Sequence, residues 1–260
     1  MRLRPLFLGL AAATIAGSSQ AHDTWLMPDA MTGTIGGGAS ACLTSGLAFP
    51  EAERGPAVDR VDWTGAITGE TFELAELSPA ATRPCNKGLR IDFTTLTVGV
   101  TMVGVTLKPR DIDLGAADVA EYFTEAEPSP TVIEAWKRDG VWRETYIKNA
   151  KALVCIDDCA ASRTAMTPMD AGLEFVALEP GAHPTRFRLL GKSKPLAGQL
   201  VMLVPASGAA QRLRTDADGV VVVPAGSRGT VMLSTVWIRA PQQPAGRFLS
   251  DFASVVFAAD

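Results

Sequence analysis

What most constrains the fold of this chain is a succession of short β-branched runs broken by Gly, Pro and Asp, with little sustained helical periodicity. Residues 90–107 read Arg-Ile-Asp-Phe-Thr-Thr-Leu-Thr-Val-Gly-Val-Thr-Met-Val-Gly-Val-Thr-Leu, partly alternating strand material in which Gly99 and Gly104 mark bulges or close backbone contacts. Residues 142–154 form a second strand-like stretch. A third set occupies 187–190, 199–204, 220–223, 231–238 and 248–257, spaced by turns such as Asp216-Ala217-Asp218-Gly219. Two adjoining stretches are helical in pattern. Residues 116–126 place Val119, Tyr122 and Phe123 on one side, and residues 131–138 follow Pro128 and Pro130 with Ile133 and Trp136 at a helical interval.

The amino terminus reads as a cleavable export signal over 1–21. Arg2 and Arg4 precede an apolar run from Leu6 to Ala16, and Ser19 and Ala21 put small side chains where a signal peptidase reads them. The run is shorter than the roughly 20 residues of a permanent span, so we expect no membrane span after processing and a periplasmic chain beginning at His22. Removing 1–21 takes two of the 24 basic residues and none of the 28 acidic ones, leaving 22 against 28 and a net charge of −6. That balance argues against nucleic acid as a partner and weakly favours a cationic ligand.

Four cysteines, Cys42, Cys85, Cys155 and Cys159, are an even set in an oxidising compartment. The close pair Cys155 and Cys159 can close a local loop, leaving Cys42 with Cys85. A thiolate metal site is the competing reading, disfavoured by the absence of paired C-x-x-C, and three connectivities are formally open.

A boundary is expected near Glu179-Pro180-Gly181, dividing a β-rich domain with a helical insertion (22–180) from a small sandwich (181–260). In the latter, Lys194-Pro195-Leu196-Ala197-Gly198 and Thr215-Asp216-Ala217-Asp218-Gly219 resemble the strand entry and tight hairpin turn of transthyretin-like or immunoglobulin-like modules. The expected fold is all-β, two tandem β-sandwich modules.

The opening Ala21-His22-Asp23-Thr24-Trp25-Leu26-Met27-Pro28 resembles that of a bacterial periplasmic domain-of-unknown-function family associated with nickel/cobalt uptake. Further similarity lies at residues 46–50, 146–154, around Leu196, and at 251–257, so that it covers nearly the whole mature chain. The resemblance implies tandem β-sandwiches, periplasmic residence and transition-metal handling. The chain departs from such relatives in holding only two histidines, His22 and His183, which argues against histidine-rich sequestration.

Once processed, His22 would offer an α-amine and an imidazole to one ion, and both lose their protons near neutral pH. With a second imidazole they would form a three-nitrogen histidine brace suited to Cu(II). His183 is the one other histidine available. Asp23 would serve as a weak oxygen ligand or hold an imidazole in place. Met27 and Met31 are soft donors more consistent with packing, and Asp111, Asp113, Asp157 and Asp158 read as solvated turns. Gly36-Gly37-Gly38 lacks the Lys-Ser/Thr of a phosphate loop, and neither histidine sits in a nucleophile context, so no enzyme is expected. A copper monooxygenase is disfavoured by the two tyrosines and the lack of a flat aromatic platform. The sequence therefore points to a non-catalytic protein that binds copper, nickel or cobalt, with an envelope metal-transport protein as partner. The alternative is a structural or protein-interaction module of the same fold.

Overall fold

In the computed structural model, residues 23–69, 71–73, 76–79, 85, 87–244 and 246–260 are described; residues 1–22, which carry the expected export signal and His22, lie outside them. The strands of the first part are β1 (Asp23–Pro28), β2 (Thr32–Gly33), β3 (Gly38–Gly46), β4 (Val61–Thr68), β5 (Thr71–Glu73), β6 (Glu76–Pro79), β7 (Leu89–Thr94), β8 (Gly99–Leu107) and β9 (Arg110–Leu114). Helices α1 (Ala116–Ala126) and α2 (Pro130–Asp139) precede β10 (Trp142–Ile156), β11 (Leu173–Ala177), β12 (Arg186–Gly191), β13 (Lys194–Pro195) and β14 (Leu200–Pro205). The chain ends with β15 (Gln211–Arg214), β16 (Val220–Val222), β17 (Gly229–Arg239) and β18 (Phe248–Ala259).

One ten-stranded sheet runs through the middle in the order β15-β14-β17-β18-β10-β8-β4-β5, with β2 and β9 also pairing to β10. A second sheet, β1-β3-β7-β6, covers part of one face, and a third, built from β11, β12, β13 and β16, covers the other. Alternation along the central strands explains the layering. Ala150, Ala152, Val154 and Val256 pack toward Trp25, Leu43 and Ile91 of the second sheet. Their neighbours Leu153, Ala253, Val255 and Phe257 pack toward Phe175, Phe187 and Leu189 of the third.

The helix pair lies on the same face as the second sheet, over Trp142, Phe248 and Ile238. Helix α1 starts at Gly115, whose N–H donates to Asp118 Oδ2 at 3.3 Å. Helix α2 starts on Pro130 and ends at Gly140, in the left-handed region at φ 66. An aromatic cluster pins both helices down. Trp142 stacks on Phe248 at 3.9 Å between ring centres, and Tyr122 and Phe123 meet Trp142 edge-on at 5.9 and 5.3 Å.

The expected helices, the strand stretches and both glycine contacts are present. Gly99 has φ 122, and a side chain at Gly104 would collide with Met169 and Trp63. Two features differ from expectation. The boundary near residue 180 falls between β11 and β12, yet β10 pairs in parallel with β18, so one sheet joins the two expected modules. The turn at Asp216–Gly219 forms, with the Asp216 carboxylate accepting from the N–H groups of Asp218 and Val220. It does not close a hairpin, because β15 pairs with β14 while β16 crosses to β12. Local turn chemistry sets the bend, and burial of Val221 in the core between the central and third sheets sets where the chain goes.

Both expected disulfides form, Cys42–Cys85 and Cys155–Cys159, with sequence separations of 43 and 4. Chain-entropy arguments assign about 4 kcal/mol to the longer loop and roughly 2 kcal/mol to the shorter. The double variant Cys42→Ala/Cys85→Ala should therefore lower the urea midpoint more than Cys155→Ala/Cys159→Ala, a ranking that equilibrium denaturation followed by tryptophan fluorescence would reverse or uphold.

Candidate functional site

The face of the central sheet beneath both the helices and the second sheet is apolar at each end and polar in between. On β10 the order along this face is Trp142, then Glu144, Tyr146 and Lys148, then Ala150 and Ala152. On β18 it is Phe248, then Ser250, Phe252 and Ser254, then Val256. The parallel register sets Glu144 beside Phe248, Tyr146 beside Ser250 and Lys148 beside Phe252. On β17, Ser234 takes the same place between Val236 and Met232. The outcome is a polar seam between the helix-capped core and the sheet-capped core.

The first residues of β1 cross this seam. Ser234 Oγ donates to Asp23 Oδ2 at 3.0 Å, Ser254 Oγ donates to the Thr24 carbonyl at 2.7 Å, and the Thr24 and Ser45 hydroxyls lie 2.7 Å apart. Burial pushes the Asp23 carboxyl above the usual carboxylate range, partly offset by the Ser234 hydrogen bond. Burial likewise raises Glu125 on α1, helped by the charges of Glu121 and Asp23. Glu144 is buried and raised for the same reason, though it accepts from Tyr122 Oη at 3.2 Å and Trp142 Nε1 at 2.8 Å. Burial and the neighbouring Glu144 charge hold the Tyr122 hydroxyl well above its normal range. Lys148 goes the other way. Burial lowers it to about 8, Asp23 opposes the shift, and Arg54 and Arg60 add to it.

Two cavities open from the seam and share Tyr122 and Phe252. The first, about 450 Å³, is acidic: its charged lining is Asp23, Glu125 and Arg212, and Arg212 is ion-paired with Glu127. The second, about 490 Å³, is basic: Arg54, Arg60, Arg110 and Lys148 outnumber Asp111 and Glu144. Asp23 lines the first and Thr24 the second, so consecutive residues of β1 face opposite fields.

Of the residues singled out from sequence, His22 lies outside the described residues and Asp23 lies in the seam. His183 sits in the exposed loop before β12, its Nδ1 3.0 Å from the Ala258 carbonyl and 3.3 Å from the Asp260 carboxylate. The structure does not bring His183 and Asp23 together. Asp23 is held at Ser234, the register partner of Ser254, and Ala258 lies four strand positions further on, about 13 Å away. The loop bearing His183 also belongs to the layer on the opposite face. Met27 and Met31 pack against the core under the second sheet. Asp157 and Asp158 cap backbone N–H groups, and Asp111 and Asp113 pair with Arg247. Among the described residues, no three His, Cys, Asp or Glu side chains converge as a metal site. A metal at Asp23 would need donors from elsewhere, and the residue bonded to Asp23 is His22.

The sequence reading passed over Glu144, Tyr146 and Lys148 inside a recognised strand stretch. The signal was there: alternation puts two charged residues on the face that carries Trp142 and Ala150. Arg54 and Arg60 lie outside the regular strands, where no periodicity marks them. Among the described residues no helix is long and apolar enough to cross a membrane.

A family described as a domain of unknown function, DUF4198, matches residues 19–239. No curated protein matches the chain.

The Lys148 environment is directly testable. Competitive amine acylation read by mass spectrometry should titrate Lys148 near 8, well below the ordinary lysine value of 10.5. Because the folded state gives up this proton before the unfolded state does, Lys148 should make stability rise with pH between about 8 and 10.5, and Lys148→Met should lessen that rise. A Lys148 that titrates at the ordinary lysine value of 10.5 would contradict the burial argument.

Proposed function

The chain belongs to the DUF4198 family, and from that premise we propose a non-catalytic, exported protein that binds a transition-metal ion, copper, nickel or cobalt, where β1 begins. The observation that carries the reading is the position of Asp23. Its carboxylate is tethered by Ser234 at the wall of an acidic cavity, and the residue bonded to it is His22. Adjacent α-carbons lie about 3.8 Å apart, so in a chain processed after Ala21 the terminal amine and imidazole would be one residue from Asp23. The His22 amine and imidazole would then close one chelate ring, with Asp23 supplying an oxygen donor or orienting the imidazole. Glu125 adds negative charge behind it. This donor set draws on the seam carboxylates and leaves His183 out, since His183 is engaged on the far side of the central sheet. Residence in the periplasm fits two disulfides and the basic, apolar and small-residue order of 1–21. Delivery to an envelope metal-transport protein is the role we assign.

The test is a titration of resin-stripped protein starting at His22 with Cu(II), Ni(II) and Co(II). One ion per chain is expected, held more weakly as falling pH protonates the imidazole and the amine. One extra residue ahead of His22 should weaken binding by about a hundredfold and Asp23→Asn by about tenfold. His183→Ala should leave it unchanged. Equal affinity of the extended and processed chains would sink the proposal.

A further inference from the structure

The second cavity carries chemistry that the metal reading does not use. Its volume, about 490 Å³, falls within the range of small-molecule sites. Its two acids are already occupied. Glu144 holds the Tyr122 hydroxyl and the Trp142 N–H, while Asp111 accepts from Thr145 Oγ1 at 2.6 Å and faces Arg247 Nε at 3.4 Å. Arg60 and Arg110 form no ion pair with any described residue, and the Arg60 guanidinium lies over Tyr146 at 5.9 Å. Lys148 Nζ stands over two rings, 5.7 Å from the centre of Tyr146 and 5.3 Å from that of Phe252. Leu107, Ile112 and Leu114 complete an apolar wall. Guanidinium groups match the planar fork of a carboxylate, and aromatic faces suit a flat apolar body.

We infer that this cavity binds a small organic anion, a planar apolar body bearing one or two carboxylates, with Arg60, Arg110 and Lys148 on the charge and Tyr146 and Phe252 on the body. The inference stands on a different cavity from the proposed metal site and does not depend on it. The depressed Lys148 supports it, because an incoming carboxylate would return the proton that burial removes.

The probes are phthalate, benzoate, the neutral dimethyl phthalate and inorganic phosphate, titrated calorimetrically into resin-stripped protein. Phthalate or benzoate should bind at least about tenfold more tightly than the neutral ester or phosphate, the margin of a charge-assisted hydrogen bond. Arg60→Gln and Arg110→Gln should each weaken the aromatic carboxylate by a similar factor of about ten and leave Cu(II) affinity unchanged. Bound phthalate should also slow acylation of Lys148 in the unmodified chain by about tenfold while Lys192 reacts as before, a readout independent of how the variants fold. The inference fails if the ester or phosphate binds as tightly as phthalate, if neither aromatic carboxylate binds, or if saturating phthalate leaves Lys148 equally reactive. Loss of Cu(II) binding with this pattern intact would strike the metal reading alone.

Discussion

The parallel pairing of β10 with β18 is the contact on which the rest of this structure depends. Nine register pairs run from Glu144 with Phe248 to Ala152 with Val256. Parallel neighbours cannot be joined by a tight turn, and here the connection is everything between β10 and β18, including the whole third sheet. Because the pair is central, both of its faces are covered, as parallel strands require. Its register also decides which side chains stand level with one another, and so brings the polar residues of β10 and β18 into a single seam.

The two faces of that pair treat buried charge differently. Toward the third sheet, Lys151 is fully enclosed and ion-paired with Glu174, which also accepts from the Met169 N–H at 2.9 Å, while Lys151 Nζ lies 3.3 Å from the Phe175 carbonyl. Lys151 and Glu174 are answered within the protein, the condition under which a buried pair is tolerated. On the seam side, Glu144, Asp23 and Lys148 are also removed from bulk water, but they border open volume. The first arrangement locks two layers together; the second sets charged groups along the walls of two cavities.

The seam is electrically divided. Asp23 and Glu125 make one cavity acidic, four cations make the other basic, and Phe252 and Tyr122 stand in both linings. The division follows from strand geometry. Successive residues of β1 point to opposite sides, so Asp23 and Thr24 reach different cavities while the hydroxyls of Ser234 and Ser254 fix both.

Local order was largely legible in the residues. The helix over 116–126, the long strand from 142, the turn at Asp216–Gly219 and both cysteine pairs follow from periodicity, turn chemistry and spacing, all of which act within a few residues or through simple parity. Asp23 was singled out through its place beside His22, whereas the brace with His183 rested on there being one other histidine, a count that carries no distance. What the sequence by itself determined was therefore the set of elements, the redox chemistry and the polar or apolar character of each strand face. Only the tertiary structure decided that strands on either side of residue 180 share a sheet, that His183 belongs to the far layer, and that Glu144, Lys148, Ser234 and Asp23 meet. The physical reason is that strand register between distant segments is set by burying whole faces at once, a collective choice that no local window of residues contains.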